Sequence, residues 1–194
     1  MKRFQAVRDS RKRPNHAGFR AGRGCADQIF PLRRMQPTAV CFVDFAAACD
    51  SVHRESLWRI MALDGLPSKI IAMIKAYYSS TTSRLLVHNN LSQAFDIRSG
   101  VRRGCILSPI LFNYAIDWIF GKALHEDDGV EFASGRRLAD LDYADDFALL
   151  ASSFGDLQSM VSRVNEVAKS VDLSIKAGKN KGFQAASLPR RKHL

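Results

Sequence analysis

The chain has 194 residues, 46% hydrophobic and 25% charged, an ordinary globular balance that argues against disorder and leaves enough apolar material for a core. The four cysteines, Cys25, Cys41, Cys49 and Cys105, are scattered with no C-x-x-C pair, which argues against a zinc site or disulfide framework and fits a reducing compartment. The N-terminal MKRFQAVRDSRKRP lacks the apolar core of a signal peptide, and the most apolar segment, Cys105–Phe120, is interrupted by Asn113 and Asp117 and is shorter than a bilayer crossing, so an intracellular chain without a membrane span is expected.

The net charge of +10 is unevenly placed. Residues 1–37 carry ten Lys/Arg against Asp9 and Asp27, and residues 176–194 carry six and no acid, so the acidic excess falls between two basic ends. Basic flanks attract phosphates, whereas clustered carboxylates repel them unless a cation intervenes. Charged tails that merely keep the chain soluble are the plainer account of either end taken alone.

In chain order, residues 1–15 read as a basic arm. Ala17–Cys25, AGFRAGRGC, reads as a loop able to lay amides and guanidinium groups against phosphate. Thr38–Phe45, TAVCFVDF, is β-branched and apolar, a buried strand carrying Asp44. That carboxylate either has a partner or a metal, or lies just past the strand end in water. A helix is expected over about residues 54–63, ended by Gly65, and a second from Pro67 through Tyr78. Ser83–His88 and Leu91–Arg98 read as strands joined at Asn89-Asn90. Gly100–Gly104, GVRRG, is a second glycine-and-arginine loop, followed by Ser108 as N-cap and Pro109 as first residue of a helix to about Leu124. The start of that helix would turn its N–H groups, with Arg102 and Arg103, towards an anion.

Glu126-Asp127-Asp128 reads as a solvated cluster, with Val130–Ser134 and Arg137–Tyr143 as strands around Ser134-Gly135. Leu141–Ala151, LDYADDFALLA, follows as a hairpin with its turn at Ala144–Asp146. Leu157, Met160, Val161, Val164 and Val167 mark an amphipathic helix, and Leu173–Ile175 a short edge strand before the basic tail. This order predicts an α+β fold with a partly antiparallel sheet.

Asp145-Asp146 has two readings. Aspartate is at home in tight turns. Alternatively, with the Asp44 strand beside the hairpin, three carboxylates converge and raise one another's pKa unless a cation compensates. Oxygen-only ligands select a hard ion, Mg²⁺ or Mn²⁺, over zinc, and paired ions of this kind serve nucleotidyl transfer.

Five blocks then occur in order: AGFRAGRGCADQIF at Ala17–Phe30, CFVDFAAACDSVH at Cys41–His53, SGVRRGCILSPILFN at Ser99–Asn113, YADD at Tyr143–Asp146 and LSIKAGKNK at Leu173–Lys181. With these, the chain resembles the reverse transcriptases of non-LTR (LINE-type) retrotransposons from about Ala17 to Phe183. The resemblance implies a right-hand polymerase palm, an antiparallel sheet with flanking helices, plus part of the fingers. Residues 1–15 would be the arm, 16–37 the partial fingers, 38–183 the palm and 184–194 a tail. It implies RNA-directed DNA synthesis with RNA template, DNA primer, dNTPs and Mg²⁺ or Mn²⁺. Asp44, Asp145 and Asp146 match the metal-binding carboxylates, and the backbone carbonyl of Phe45 would help hold a metal. Arg20 and Arg23 match the finger loop that meets template or triphosphate. Gly104 and its neighbours match the loop that supports nucleotide and template base. Lys179 matches the basic residue proposed to protonate pyrophosphate.

The chain also departs from that pattern. Cys49 stands where the family has an aromatic ring against the ribose 2′-hydroxyl, and Arg103 stands where it has Gln. The family's Asn and Thr in the last block are Lys176 and Asn180 here. Only Pro31–Pro37 separates DQIF from the Asp44 strand, and earlier finger blocks, thumb and endonuclease are missing, as in a truncated, decaying copy. The alternative reading is therefore a catalytically impaired nucleic-acid-binding remnant. An RNA-binding module whose Asp pair is turn chemistry would leave the five blocks unexplained.

Overall fold

A computed structural model describes residues 38–45, 48–102, 104–133, 136–143, 146–176 and 182–185. In chain order its elements are β1 Thr38–Val43, α1 Ala48–Ser51, α2 Arg54–Leu63, α3 Ser68–Ser79, β2 Thr82–Ser83, β3 Leu86–Val87, β4 Asn90–Leu91, β5 Phe95–Asp96, α4 Ser108–Ala123, β6 Val130–Ala133, β7 Arg136–Leu138, β8 Asp140–Tyr143, β9 Asp146–Ala151, α5 Phe154–Lys169 and β10 Gly182–Ala185. The main sheet has the order β10-β1-β9-β8, and each of its pairings is antiparallel.

β1 and β9 are its central strands, and their composition follows from that place. Ala39, Cys41, Val43 and Phe45 join Phe147, Leu149 and Ala151 in the main core with the helices. Val40, Ala148 and Leu150 alternate with these and form a smaller cluster with Val130, Leu138 and Leu141. A strand covered on both faces reads as the near-continuous apolar run seen in β9.

α4 is buried almost all round, with eleven of its sixteen residues buried. That explains why its segment was the most apolar in the sequence. Among the described residues no helix is long and apolar enough to cross a membrane. α5 has the opposite character, one apolar stripe of Leu157, Met160, Val164 and Ala168 facing the sheet. The Ser153 hydroxyl caps it by accepting from the Asp156 N–H at 3.1 Å.

Several expectations shift. The 83–98 hairpin is broken into two short ladders, and it turns at His88-Asn89, not Asn89-Asn90. Both residues have positive φ, 47° and 62°, the left-handed pair of a two-residue turn. Ser108 is the first residue of α4, not its cap, because its hydroxyl donates to the carbonyl oxygen of Arg102. The expected strand 137–143 divides at Ala139, so that β7 pairs with β6 and β8 with β9. Asp128 does not lie in a solvated cluster: the Arg163 guanidinium grips both its oxygens at 2.6 and 2.7 Å. Leu173–Ile175 forms only an isolated bridge, Ile175 to Phe45. The edge strand on that side is β10, further along a segment read from sequence as the approach to the tail.

Three rings lock the sheet end to the helices. Phe147 meets Phe45 edge-on at 5.6 Å and Phe120 of α4 at 5.4 Å. Phe147→Ala is therefore expected to lower unfolding free energy by about 3–5 kcal/mol in a urea titration. A loss below about 1 kcal/mol would mean that the three rings do not lock the sheet to α4.

Candidate functional site

The C-terminal end of β1 and the β8–β9 hairpin meet at one end of the sheet. The β1–β9 register runs from Ala39↔Ala151 to Val43↔Phe147. One further step brings position 44 beside position 146, the residue that opens β9 and pairs with Tyr143 of β8. The backbone thus brings two of the three sequence-predicted carboxylate positions together. Asp145 lies outside the described residues, and Asp146 is described through its backbone.

Asp44 lies just past the strand end and does not stand alone. Its carboxylate accepts from the Lys176 ammonium at 3.0 and 3.2 Å. The Lys176 N–H donates to the Asp44 carbonyl at 2.9 Å. The chain reaches this place because α5 ends at a turn through Asp172, whose φ is +60°, after which Leu173 sinks fully into the core. Phe45, next to Asp44, is 2% exposed. Its ring packs inward while position 44 faces the other side, the alternation expected of an extended chain. Two further carboxylates, Asp140 and Asp142 on β8, are buried at 4% and 2% exposure. They alternate with Leu141 in LADLDY, a pattern that could have marked them from sequence.

Cys49 sits half-buried on α1 and packs against the main core. Its carbonyl accepts from the Val101 N–H at 2.6 Å, and the Val52 carbonyl accepts from Gly100 at 2.9 Å. These bonds clamp the GVRRG loop to the segment following Asp44. Gly100 is required there: its φ is +74°, and a Cβ would fall 2.6 Å from the Asp50 backbone. Gly104 has φ +78° but open space around it.

The sequence reading missed Arg54, which organises this loop. Its guanidinium donates to the carbonyls of Gly100 (2.9 Å), Ile97 (2.8 Å), Tyr78 (3.2 Å) and Ser99 (3.3 Å). It also lies 5.0 Å from the Tyr78 ring centroid. Burial pushes its pKa below the ordinary value while Tyr78 pulls it back up, and an arginine stays charged throughout. An arginine in the first turn of an amphipathic helix carries no sequence signal for such a role. Arg102 is exposed and lies 6.0 Å from the Tyr77 ring. At Cys105, burial raises the thiol pKa, but hydrogen bonds with the Leu107 and Ser108 backbone and the Tyr77 hydroxyl outweigh it and leave it lowered. Arg20, Arg23, Arg103 and Lys179 lie outside the described residues.

The chemistry of the described donor fits a hard cation: the Asp44 carboxylate offers two oxygens at a sheet end and already holds one cation, an ammonium, on both of them. Among the described residues, no three His, Cys, Asp or Glu side chains form a metal-binding group.

A family described as "Reverse transcriptase (RNA-dependent DNA polymerase)" matches residues 1–188. The chain is 25% identical over 167 residues to the "Retrovirus-related Pol polyprotein from type-1 retrotransposable element R2" of Popillia japonica, covering 85% of this chain and 28% of that one. It is 29% identical over 150 residues to a "Probable RNA-directed DNA polymerase from transposon BS" of Drosophila melanogaster, covering 72% of this chain and 16% of that one. The chain thus spans less than a third of the length of the curated relatives it matches. Its fold is similar to that of apo telomerase from Candida tropicalis, with TM-score 0.68 at 15% identity over 95% of this chain and 35% of that one. A Candida albicans telomerase with a fragment of telomeric RNA matches with TM-score 0.61 at 10% identity over 97% of this chain and 30% of that one.

The clamp has a direct test. Gly100→Ala is expected to cost at least about 3 kcal/mol by urea denaturation, since both φ and space oppose it, against about 1–2 kcal/mol for Gly104→Ala, where only φ does. Equal costs would mean that α1 and the loop are not held in close approach.

Proposed function

The chain belongs to the reverse transcriptase (RNA-dependent DNA polymerase) family, and from that membership we propose that it is the palm with part of the fingers of a non-LTR retrotransposon polymerase. It copies an RNA template by adding deoxynucleotides to a DNA primer. Residues 38–183 form the palm, continued by β10 to Ala185, and residues 16–37 belong to the fingers. The basic ends draw in nucleic acid. The chain works inside the cell, where its nucleic acid and nucleotide partners are.

The observation that carries this reading is the β1–β9 register, which ends at Val43↔Phe147, one residue short of positions 44 and 146. Asp44, Asp145, Asp146 and the Phe45 carbonyl would hold Mg²⁺ or Mn²⁺. Bound there, such ions would supply activation of the primer 3′-hydroxyl and charge neutralisation on the leaving pyrophosphate. The chain's own residues do the positioning. The Phe45–Phe147–Phe120 stack fixes the strand ends, the Arg54-held loop leads to Gly104, and Gly104 and Arg103 would meet the nucleotide. Arg20 and Arg23 meet the triphosphate or template, and Lys179 gives the pyrophosphate its proton.

One observation favours a second reading, an impaired nucleic-acid-binding remnant. Cys49 lies half-buried on α1, against the loop after Gly100, and brings no ring to the ribose. Primer extension decides between the two. On an RNA template with Mg²⁺, the polymerase reading predicts extension that falls by at least about a hundredfold in Asp145→Asn. Salt-sensitive RNA binding with no extension supports the remnant, and equal extension in both proteins contradicts the assigned carboxylates. Where extension is seen, Cys49→Phe is expected to raise the preference for deoxy- over ribonucleotides about tenfold. An unchanged ratio would remove Cys49 from the sugar site.

A further inference from the structure

We propose that Lys176 is a built-in counter-cation of the carboxylate site: its ammonium holds Asp44 when no divalent ion does, and an ion must displace it to bind. The inference rests on reading Asp44 as a metal ligand, and it adds a competitor that the family resemblance does not supply, since the resemblance puts Asn at this position.

The geometry supports displacement over chance proximity. The ammonium contacts both Asp44 oxygens, at 3.0 and 3.2 Å. Its side chain springs from a backbone already fixed beside Asp44 by the Lys176 N–H to Asp44 carbonyl bond at 2.9 Å and by the Phe45–Ile175 bridge. Buried Leu173 and the Ile175 side chain packed against the main core hold that segment down. The ammonium is therefore tethered at short range and forms the pair at little further ordering cost.

The pair is also open enough to exchange. The Lys176 and Asp44 side chains keep 40% and 43% exposure, and an exposed pair of this kind is individually weak. Lysine is a compact point charge on a flexible stem, able to swing into water without leaving the neighbourhood. Once displaced it stays well within the Debye length of about 8 Å at physiological salt, so it continues to weaken divalent binding. Lys176 thus acts as a brake that raises the divalent-ion concentration needed to load the site.

The test is Mn²⁺ binding to the full chain, read from the electron paramagnetic resonance signal of free Mn²⁺. Wild type is compared with Lys176→Asn, Lys176→Met and Asp44→Asn, and folding is checked by circular dichroism. Removing the ammonium is expected to tighten Mn²⁺ binding about two- to fivefold, with the gap narrowing as salt rises. Lys176→Met retains most of the aliphatic stem and decides the matter should the Asn variant unfold. Asp44→Asn is expected to weaken binding in every background. Unchanged affinity in both Lys176 variants, with binding still lost in Asp44→Asn, would overturn the competition and leave the metal site standing. Absence of any Asp44-dependent Mn²⁺ binding would overturn both.

Discussion

The antiparallel register between β1 and β9 is the constraint on which the rest of the molecule depends. Because side chains alternate along a strand, a slip of β9 by one residue against β1 would exchange the two faces of β9. It would take Phe147 out of the aromatic stack with Phe45 and Phe120 and separate positions 44 and 146. The packing of the Phe147 ring against Phe45 and Phe120 makes such a slip costly. Core packing and site assembly are therefore specified by the same pairing, and the site inherits its precision from burial it does not itself contribute.

A second constraint works at right angles to the first. The short helix α1 that follows Asp44 in the chain is clamped to the Gly100 loop. Close backbone approach at Gly100 and four carbonyls gathered by Arg54 hold that clamp. Charge-assisted hydrogen bonds to carbonyls are worth more than neutral ones. They let a loop without regular structure keep a fixed place beside the sheet end. The return of the chain after α5 adds the third side, with Lys176 against Asp44.

Much of this was legible in the sequence, for physical reasons. Periodic segments gave α2, α3 and α4 to within about a residue and marked the apolar face of α5, and the β-branched run gave β1. The short α1 carried no such signal. The five ordered blocks pointed to the family before any geometry was known. What escaped was tertiary in origin. Leu173–Ile175 has strand-like composition, yet the pairing beside β1 passes to β10, a segment with weak strand preference. Ser108 looks like a cap, but its hydroxyl finds the Arg102 carbonyl. Arg54 looks solvated, and only the folded chain shows the carbonyls around it. Lys176 could be read as a departure from a pattern, but not as a partner for Asp44, because 132 residues separate them in the chain. Local propensity cannot report such contacts.

The central claim is that the end of β1 and the start of β9 form one cation-binding site. Anomalous scattering from a crystal of this chain grown with Mn²⁺ tests it most directly. The account predicts an anomalous peak beside the Asp44 carboxylate at this sheet end, with the Lys176 ammonium moved off Asp44. A Mn²⁺ peak elsewhere on the molecule, with Lys176 still on Asp44 and this sheet end free of metal, would contradict it.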